Sequence, residues 1–348
     1  TVSKVGTINF KDTDKSDGSS AVYISKGGKV SDTASATINL GTVNQNRVAY
    51  YVNGKGITLA GANIGKISGY GVGVYLQGDA TDPNVGKAKI NDTNIPKLDF
   101  KDPSLGTTGN GIIGLYLNGD TEIKDYTKGI TVGDSDGTKY AIGIYANAQK
   151  ITETTPGTVE NTYRIITPIK VGADGVGIYA DKNSDITYTG NMEVGNGTKS
   201  GTGIYITKKD GTGTATGTVT LGPNTIKLKG TGGVAVIASE GTKFDAKNAT
   251  IELIGKNVTG VGVYGKKGSD VEIGGWTFKN NGNQAEEVRL EEGKVHVTSS
   301  KSLNPRMVLT HVINGETSVG TGATVTSVSD GSYTAKENIG LMAEGVKN

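Results

Sequence analysis

The chain lacks cysteine and has little proline, tryptophan or phenylalanine. Its 348 residues include no Cys, 7 Pro, 1 Trp and 4 Phe. The absence of cysteine excludes disulfides, and with only two histidines it also disfavours a zinc site. No apolar run reaches about 18 residues, so the sequence predicts no transmembrane helix.

Positive and negative side chains are nearly balanced in number. The chain has 36 Lys and Arg against 34 Asp and Glu, a formal net charge of +2. This balance disfavours nucleic acid and polybasic membrane binding. The sequence also lacks a Gly-x-Ser-x-Gly elbow, a Gly-Lys-Ser/Thr phosphate loop and a calcium-binding nonapeptide repeat. We therefore expect no catalytic residue, no bound metal and no cofactor.

Glycine is abundant, with 55 residues, and a short tyrosine-containing motif repeats along the chain. The clearest copy is Gly71-Val72-Gly73-Val74-Tyr75-Leu76, and weaker copies have Ile237 or Met342 where the tyrosine stands. The copies recur about every 30 residues, a period that predicts a solenoid. The tyrosines are Tyr23, Tyr51, Tyr75, Tyr116, Tyr145, Tyr179, Tyr205 and Tyr264.

Each copy alternates with period 2. Aliphatic residues precede the tyrosine by three and by one and follow it by one, as Val72, Val74 and Leu76 do around Tyr75. This alternation predicts a short strand with one buried face. It assigns the tyrosine and the preceding Gly73 to the opposite, outward face.

Two more short alternating runs follow each tyrosine strand. After Tyr179 they are Asp185-Ile186-Thr187 and Met192-Glu193-Val194. Three short strands per repeat, separated by Gly, Asn, Asp and Ser, predict an all-β fold. We expect a single right-handed parallel β-helix of about eleven turns, continuous over residues 1–348 and roughly 50 Å long.

Two intervals break the pattern and predict irregular excursions. One spans residues 79–110 and contains three of the seven prolines. The other spans residues 275–322, where we expect atypical turns and a short α-helical insertion near residues 284–290. Irregular excursions from a solenoid commonly carry binding. The second interval supplies the candidate binding residues Trp276, Arg289, His296, Arg306 and His311.

The glycine–aliphatic–tyrosine copies, followed by Asn- and Gly-rich turns, resemble the passenger domains of large fusobacterial autotransporter adhesins. These are type V secreted outer-membrane proteins. The resemblance implies a β-helical stalk on the surface of a Gram-negative bacterium, anchored by a β-barrel that lies outside this chain. We therefore expect a monomeric fragment of a longer protein. It would attach to host cells or other bacteria through a protein or glycan receptor.

We expect the adhesin not to be an enzyme. Two other functions stay open beside it. One is a polysaccharide-active β-helix enzyme, which needs several carboxylates beside a basic group on one face. The other is a structural spacer whose binding site lies elsewhere. The paired carboxylates of the sequence also have an ordinary explanation as turn residues. They are Asp79 with Asp82, Asp134 with Asp136, and Asp181 with Asp185.

The repeated tyrosines permit two interpretations. Outward aromatic rings can pack against sugar rings or partner side chains. Alternatively, they stack on one another and stabilise neighbouring strands. The tyrosines considered as ligand contacts or as a structural ladder are Tyr51, Tyr75, Tyr116, Tyr145, Tyr179, Tyr205 and Tyr264.

Overall fold

The computed structural model shows short strands joined by turns, and its described residues contain no helix. Cα proximity divides the chain into two compact units, Thr1–Tyr179 and Ala180–Asn348. The expectation of one continuous segment stays a prediction. The structure describes residues 4–13, 18–25, 28–30, 36–43, 45–54, 58–59, 66–78, 88–91, 97–100, 111–135, 137–147, 162–181, 184–207, 217–239, 241–255, 258–280, 285–291, 293–303, 307–313, 316–328 and 339–344.

The first unit contains sixteen described strands and the start of a seventeenth. They are β1 Thr7–Asn9, β2 Ser20–Ser25, β3 Lys29–Val30, β4 Thr37–Asn39, β5 Val48–Asn53, β6 Thr58–Leu59, β7 Lys66–Ser68, β8 Gly71–Gln77, β9 Ala88–Asn91, β10 Leu98–Phe100, β11 Ile112–Asn118, β12 Thr121–Asp125, β13 Ile130–Val132, β14 Ala141–Asn147, β15 Thr162–Ile165, β16 Ile169–Val171 and β17 Val176–Asp181.

Strands of the first unit pair with strands one repeat away, and every pairing is parallel. The tyrosine strands form the order β2-β5-β8-β11-β14. The order β10-β13-β16 forms a second face, and β1-β4-β7 forms another sheet. Consecutive strands thus turn a corner and then stack on the previous turn, which is the arrangement of a parallel β-helix.

The second unit is built in the same way. Its described strands are β18 Asp185–Tyr188, β19 Met192–Val194, β20 Thr202–Ile206, β21 Thr218–Leu221, β22 Thr225–Lys229, β23 Gly233–Ala238, β24 Lys243–Lys247, β25 Thr250–Ile254, β26 Gly260–Gly265, β27 Asp270–Asn280, β28 Ala285–Glu291, β29 Lys294–Leu303, β30 Met307–Ile313, β31 Glu316–Val328 and β32 Ile339–Glu344.

Parallel pairing in the second unit forms the orders β20-β23-β26-β28-β30-β32, β18-β21-β24-β27-β29-β31 and β19-β22-β25-β27. Strand β27 belongs to two of these orders because its first half pairs with β24 and its second half with β25. Each unit is therefore a parallel β-helix. The predicted fold class and the three strands per repeat are confirmed.

The core of each unit is made by aliphatic residues that repeat in register. Val74 and Leu76 of β8 are fully buried, and they pair with the equally buried Leu115 and Leu117 of β11. Such stacks remove apolar surface from water only when successive turns cover one another, which explains why the sequence repeats.

One part of the predicted alternation is wrong. The glycine two residues before the tyrosine faces the interior, because a Cβ on Gly73 would overlap the ring of Phe100. The regular pairing of β8 with β11 passes from Val72 to Val74 and omits this glycine. Val72 therefore lies on the tyrosine side of the strand and packs against the rings. A glycine has no side chain to reveal which face it occupies, so the sequence could not show this.

In its described parts the interval 275–322 continues the β-helix, with register shifts in the pairing of β27 with β29 and of β29 with β31. Strands β28 and β30 extend the tyrosine-strand order, and β28 occupies the place of the predicted α-helical insertion. That helix prediction is wrong. Of the interval 79–110, strands β9 and β10 are described, and the remainder of the predicted excursion lies outside the described residues.

Candidate functional site

Tyrosine rings form a continuous stack on the outer face of the first unit. We call this stack the tyrosine ladder; it consists of Tyr23, Tyr51, Tyr75, Tyr116, Tyr145 and Tyr179. Neighbouring ring centroids lie 4.6 to 5.3 Å apart, and the ring planes differ by 7° to 28°. The tyrosines are in register on neighbouring parallel strands, so the distance between their rings is close to the distance between the strands.

Amide side chains two residues further along the strands hold the tyrosine hydroxyls. Asn118 Nδ2 donates to the Tyr75 hydroxyl at 2.6 Å and to Gln77 Oε1 at 2.7 Å. Asn147 Nδ2 donates in the same way to the Tyr116 hydroxyl at 3.2 Å. A second row of buried amides therefore runs beside the rings and fixes their orientation.

Burial further favours the neutral form of two of these phenols. It raises the pKa of Tyr75 above the ordinary value, and the neighbouring phenols of Tyr116 and Tyr51 add to the shift. Burial raises the pKa of Tyr51 for the same reason, with a smaller contribution from Tyr23. Tyr51 and Tyr75 thus present uncharged ring edges at physiological pH.

The stacking decides what the ladder can bind. At centroid distances of 4.7 and 4.6 Å with nearly parallel planes, the rings of Tyr75, Tyr116 and Tyr145 cover one another's faces. A sugar ring that stacks on an aromatic residue needs an uncovered face. The aliphatic residues beneath the rings are also covered, since Val48, Val72, Ile113 and Ile142 are only 5 to 8% exposed. The geometry inside the ladder supports its interpretation as a structural element.

The corresponding row of the second unit has a different composition. The in-register positions, which we call the second-unit row, are Tyr205, Ile237, Tyr264, Arg289, His311 and Met342. The structure thereby brings the candidates Tyr264, Arg289 and His311 onto neighbouring strands. Sequence spacing alone assigned them to two unrelated groups.

Charged groups surround Tyr264 in this row. Its hydroxyl donates to Glu291 Oε2 at 2.6 Å, while the Arg289 guanidinium lies 5.8 Å and Lys266 Nζ 5.4 Å from the ring centroid. Arg289 also approaches Glu286 and Glu291 at 3.6 and 3.3 Å. Burial, followed by the hydrogen bond to Glu291, raises the pKa of Tyr264 to about 12.

The second-unit row leaves aliphatic side chains more accessible than the ladder does. Val234 and Val261 occupy the positions that Val72 and Ile113 occupy in the first unit, and both are half-buried. Val234 and Val261 are register partners; Ile237, three residues after Val234 on β23, is also half-buried and has no ring with which to cover them. The face therefore combines partly accessible aliphatic residues with charged residues at its edge.

Trp276 is not a surface binding residue. It lies within β27, is 1% exposed, and packs against Phe244 and Phe278 with ring centroids 6.2 Å away. Its Nε1 donates to the carboxylate of Glu287, which is 2% exposed. Glu287 stands where β26 has the inward Gly262, so it faces the interior. The prediction of Trp276 as part of a binding loop is corrected because this ring belongs to the core.

His296 lies on a different face, beside carboxylates from the two preceding turns. In-register pairing places Asp245 next to Glu272, and Glu272 next to His296. Two residues earlier on the same strands, Lys243, Asp270 and Lys294 are also in register. The sequence did not indicate this group because its members lie about 25 residues apart along the chain.

The remaining candidates are scattered or lie outside the described residues. Arg306 and the pair Asp79 and Asp82 lie outside them, as does Asp136. Asp134 Oδ1 accepts a backbone hydrogen bond from Ala173, as expected of a turn residue. Asp181 is buried, and burial raises the pKa of Asp185, which accepts a backbone hydrogen bond from Thr218.

Neither a metal-binding cluster nor a membrane-spanning helix is present in the described part of the chain. No group of three His, Asp or Glu side chains there is arranged to hold a metal ion. No helix in the same part is long and apolar enough to span a membrane.

No protein-family model matches the chain, and a search of curated protein sequences gave no match. A search of solved structures matched the catalytic unit of a thermostable GH87 alpha-1,3-glucanase from Streptomyces thermodiastaticus strain HF3-3. The identity is 13%, and the match covers 94% of this chain and 62% of that one, with a TM-score of 0.24.

This match bears on the expectation that the chain is not an enzyme. The expectation is contradicted, because the matched structure is an enzyme's catalytic unit, and we do not maintain it. At this TM-score the likeness gives no argument for a particular activity of this chain.

Proposed function

We propose that this chain is the adhesive part of a protein exported to the surface of a Gram-negative bacterium. Its partner would be a protein or glycan receptor on host cells or on other bacteria. The repeated tyrosine motif, which resembles fusobacterial autotransporter passengers, supports the location. The observation that carries the proposal is the half-buried patch of the second unit, formed by Val234, Ile237, Val261, Tyr264 and Arg289.

The composition of this patch suits a protein interface. Tyrosine and arginine are the residues most often responsible for binding energy, especially beside apolar neighbours that exclude water. Arg289 and Tyr264 contact each other across neighbouring strands, so a partner would meet them as one surface. The parallel strands also fix the backbone positions of both residues, which lowers the entropic cost of binding.

Cell binding by the purified, labelled chain tests the proposal. We expect saturable binding to epithelial cells or to partner oral bacteria, and inhibition by one class of competitor among simple sugars and amino acids. Arg289→Ala should weaken binding about tenfold. Arg164→Ala is the matched control because Arg164 is exposed on β15 of the first unit. Absence of binding to every cell type would leave this chain as a spacer.

The group around His296 favours a second candidate, a polysaccharide-active enzyme. Asp245 and Glu272 are register partners, which sets their strands roughly 4.8 Å apart. Glycosidases that retain configuration use two carboxyl groups about 5–5.5 Å apart. Lys243 and Lys294 flank Asp270 on the same face, so basic groups that could bind an acidic polysaccharide are also present.

Reducing-sugar release from polygalacturonate and other acidic polysaccharides tests this second candidate. If the site is catalytic, Glu272→Gln should lower the rate at least about a hundredfold. Glu252→Gln, on the outer side of β25, should leave the rate unchanged. If the wild-type chain releases no sugar, this candidate is wrong.

A further inference from the structure

We infer that the interruption of the second-unit row at Ile237 is a slot for an aromatic side chain of a partner protein, with an acidic residue beside that aromatic in the partner. This inference rests on the proposed attachment function and specifies the chemistry of its partner.

The slot follows from the register of three strands. Tyr205 pairs with Ile237, and Ile237 pairs with Tyr264, so one position without a ring separates two positions with rings. Two strand spacings place the flanking tyrosines roughly 9.6 Å apart. In the first unit each such spacing holds one ring, 4.6 to 4.9 Å from its neighbours in the middle of the ladder. A planar ring above Ile237 would therefore sit at the distance that stacked aromatic pairs prefer.

The floor of the slot favours an aromatic ring over a sugar. Ile237, Val234 and Val261 form it, and all three are half-buried aliphatic residues. Thr202, the register partner of Val234 on the other side, offers one hydroxyl, so a sugar ring placed there would bring its remaining hydroxyl groups against aliphatic side chains, which costs free energy. An aromatic ring buries the same aliphatic surface and gains contact with both tyrosines.

Lys266 gives the slot a preference for a partner with a negative charge. Its Nζ lies 5.4 Å from the Tyr264 ring centroid, and it makes no ion pair with a carboxylate among the described residues. Arg289, in contrast, already pairs with Glu286 and Glu291. A carboxylate next to the inserted aromatic ring would complement the Lys266 ammonium, whereas a lysine there would be repelled.

Short peptides test the slot directly. The probe is a Gly-Ser peptide with a central Tyr-Asp, and the matched probes carry Leu-Asp or Tyr-Lys. We expect titration calorimetry to show the tightest binding for Tyr-Asp. Ile237→Tyr fills the slot with the protein's own ring and should weaken this binding about tenfold. Ile237→Val, which leaves the slot open, should change it less than about twofold.

Two further results would overturn the inference. One is equal affinity of Ile237→Tyr and the wild-type chain for the Tyr-Asp peptide. The other is binding of free galactose or glucose that Ile237→Tyr abolishes, since the occupant would then be a sugar. A thermal unfolding curve of Ile237→Tyr at or above the wild-type midpoint shows that any loss of binding is not loss of fold. Lys266→Gln should remove the preference of Tyr-Asp over Tyr-Lys.

Cell binding separates this inference from the function on which it rests. If the wild-type chain binds cells and Ile237→Tyr binds equally well, attachment stands and the slot is wrong. If the peptide binds as expected but no cell does, the slot stands and the attachment function is wrong.

Discussion

The tyrosine ladder of the first unit and the second-unit row occupy equivalent positions on equivalent strands. In the first unit six rings stack without interruption, and buried amides donate to the hydroxyls of Tyr75 and Tyr116. In the second unit Ile237 replaces one ring, and Arg289 follows Tyr264. One scaffold therefore supports a closed surface in one unit and an accessible patch in the other, and the side chains of a single row make the difference.

Substituting the inward-facing Gly73 should give the largest loss of stability. Gly73→Val forces a side chain into the ring of Phe100 and should destabilise the first unit by about 3 kcal/mol. Urea denaturation followed by circular dichroism measures this loss. Gly133→Val is the control, because a Cβ on Gly133 meets nothing within 4 Å. Equal losses for both variants would contradict the inward orientation of Gly73.

Removing one ring of the ladder should have the next largest effect. Tyr116→Ala loses two stacked neighbours and uncovers Ile113, so we expect a loss of about 2 kcal/mol in the free energy of unfolding. Tyr116→Phe keeps the ring, loses the hydroxyl contact with Asn147, and should cost less than about 1 kcal/mol. If Tyr116→Ala costs no more than Tyr116→Phe, the stacking does not stabilise the first unit.

Adding the missing ring to the second-unit row should have a smaller effect of opposite sign. Ile237→Tyr would place a ring between Tyr205 and Tyr264 and should stabilise the second unit by about 0.5–1 kcal/mol. A rise in the thermal unfolding midpoint relative to Ile237→Val checks this. A lower midpoint would mean that the second unit cannot accommodate the geometry of the ladder.

The smallest expected effect is on the stability of the folded chain at alkaline pH. The pKa of Tyr264 is raised to about 12 in the folded chain, above its value of about 10 when unfolded. The folded state therefore retains this proton between those values, and the associated stability is complete below pH 10 and is lost as pH rises towards 12. Tyr264→Phe should flatten this part of the stability profile. An unchanged profile would show that Tyr264 does not titrate as described.

The sequence predicted the fold because its signal is local and repeated. Alternation around Val74 and Leu76 identified the strands, and the recurrence of the tyrosine identified the turns. The orientation of Gly73 could not be predicted, since it depends on Phe100 in a different strand. The interior position of Trp276 was missed for a similar reason, because an unusual composition was interpreted as an irregular surface loop.

Part of the second-unit row could have been predicted from the sequence. Val288 and Leu290 flank Arg289 as Val74 and Leu76 flank Tyr75, and both are buried. Aligning these apolar positions, without requiring a tyrosine, would have placed Arg289 in the row. The interior position of Glu287 had no such signal, because a carboxylate at an inward glycine position resembles an ordinary surface charge.

One measurement tests the central claim, that the second unit's outer face attaches to cells. Binding isotherms of the labelled chain on epithelial cells would be compared for the wild type, Val261→Lys and Thr131→Lys. Val261 lies in the patch beside Glu286, whereas Thr131 lies on another outer face, in the first unit. We predict that Val261→Lys abolishes saturable binding and that Thr131→Lys leaves it intact. Equal binding by both variants would contradict the assignment of the attachment face.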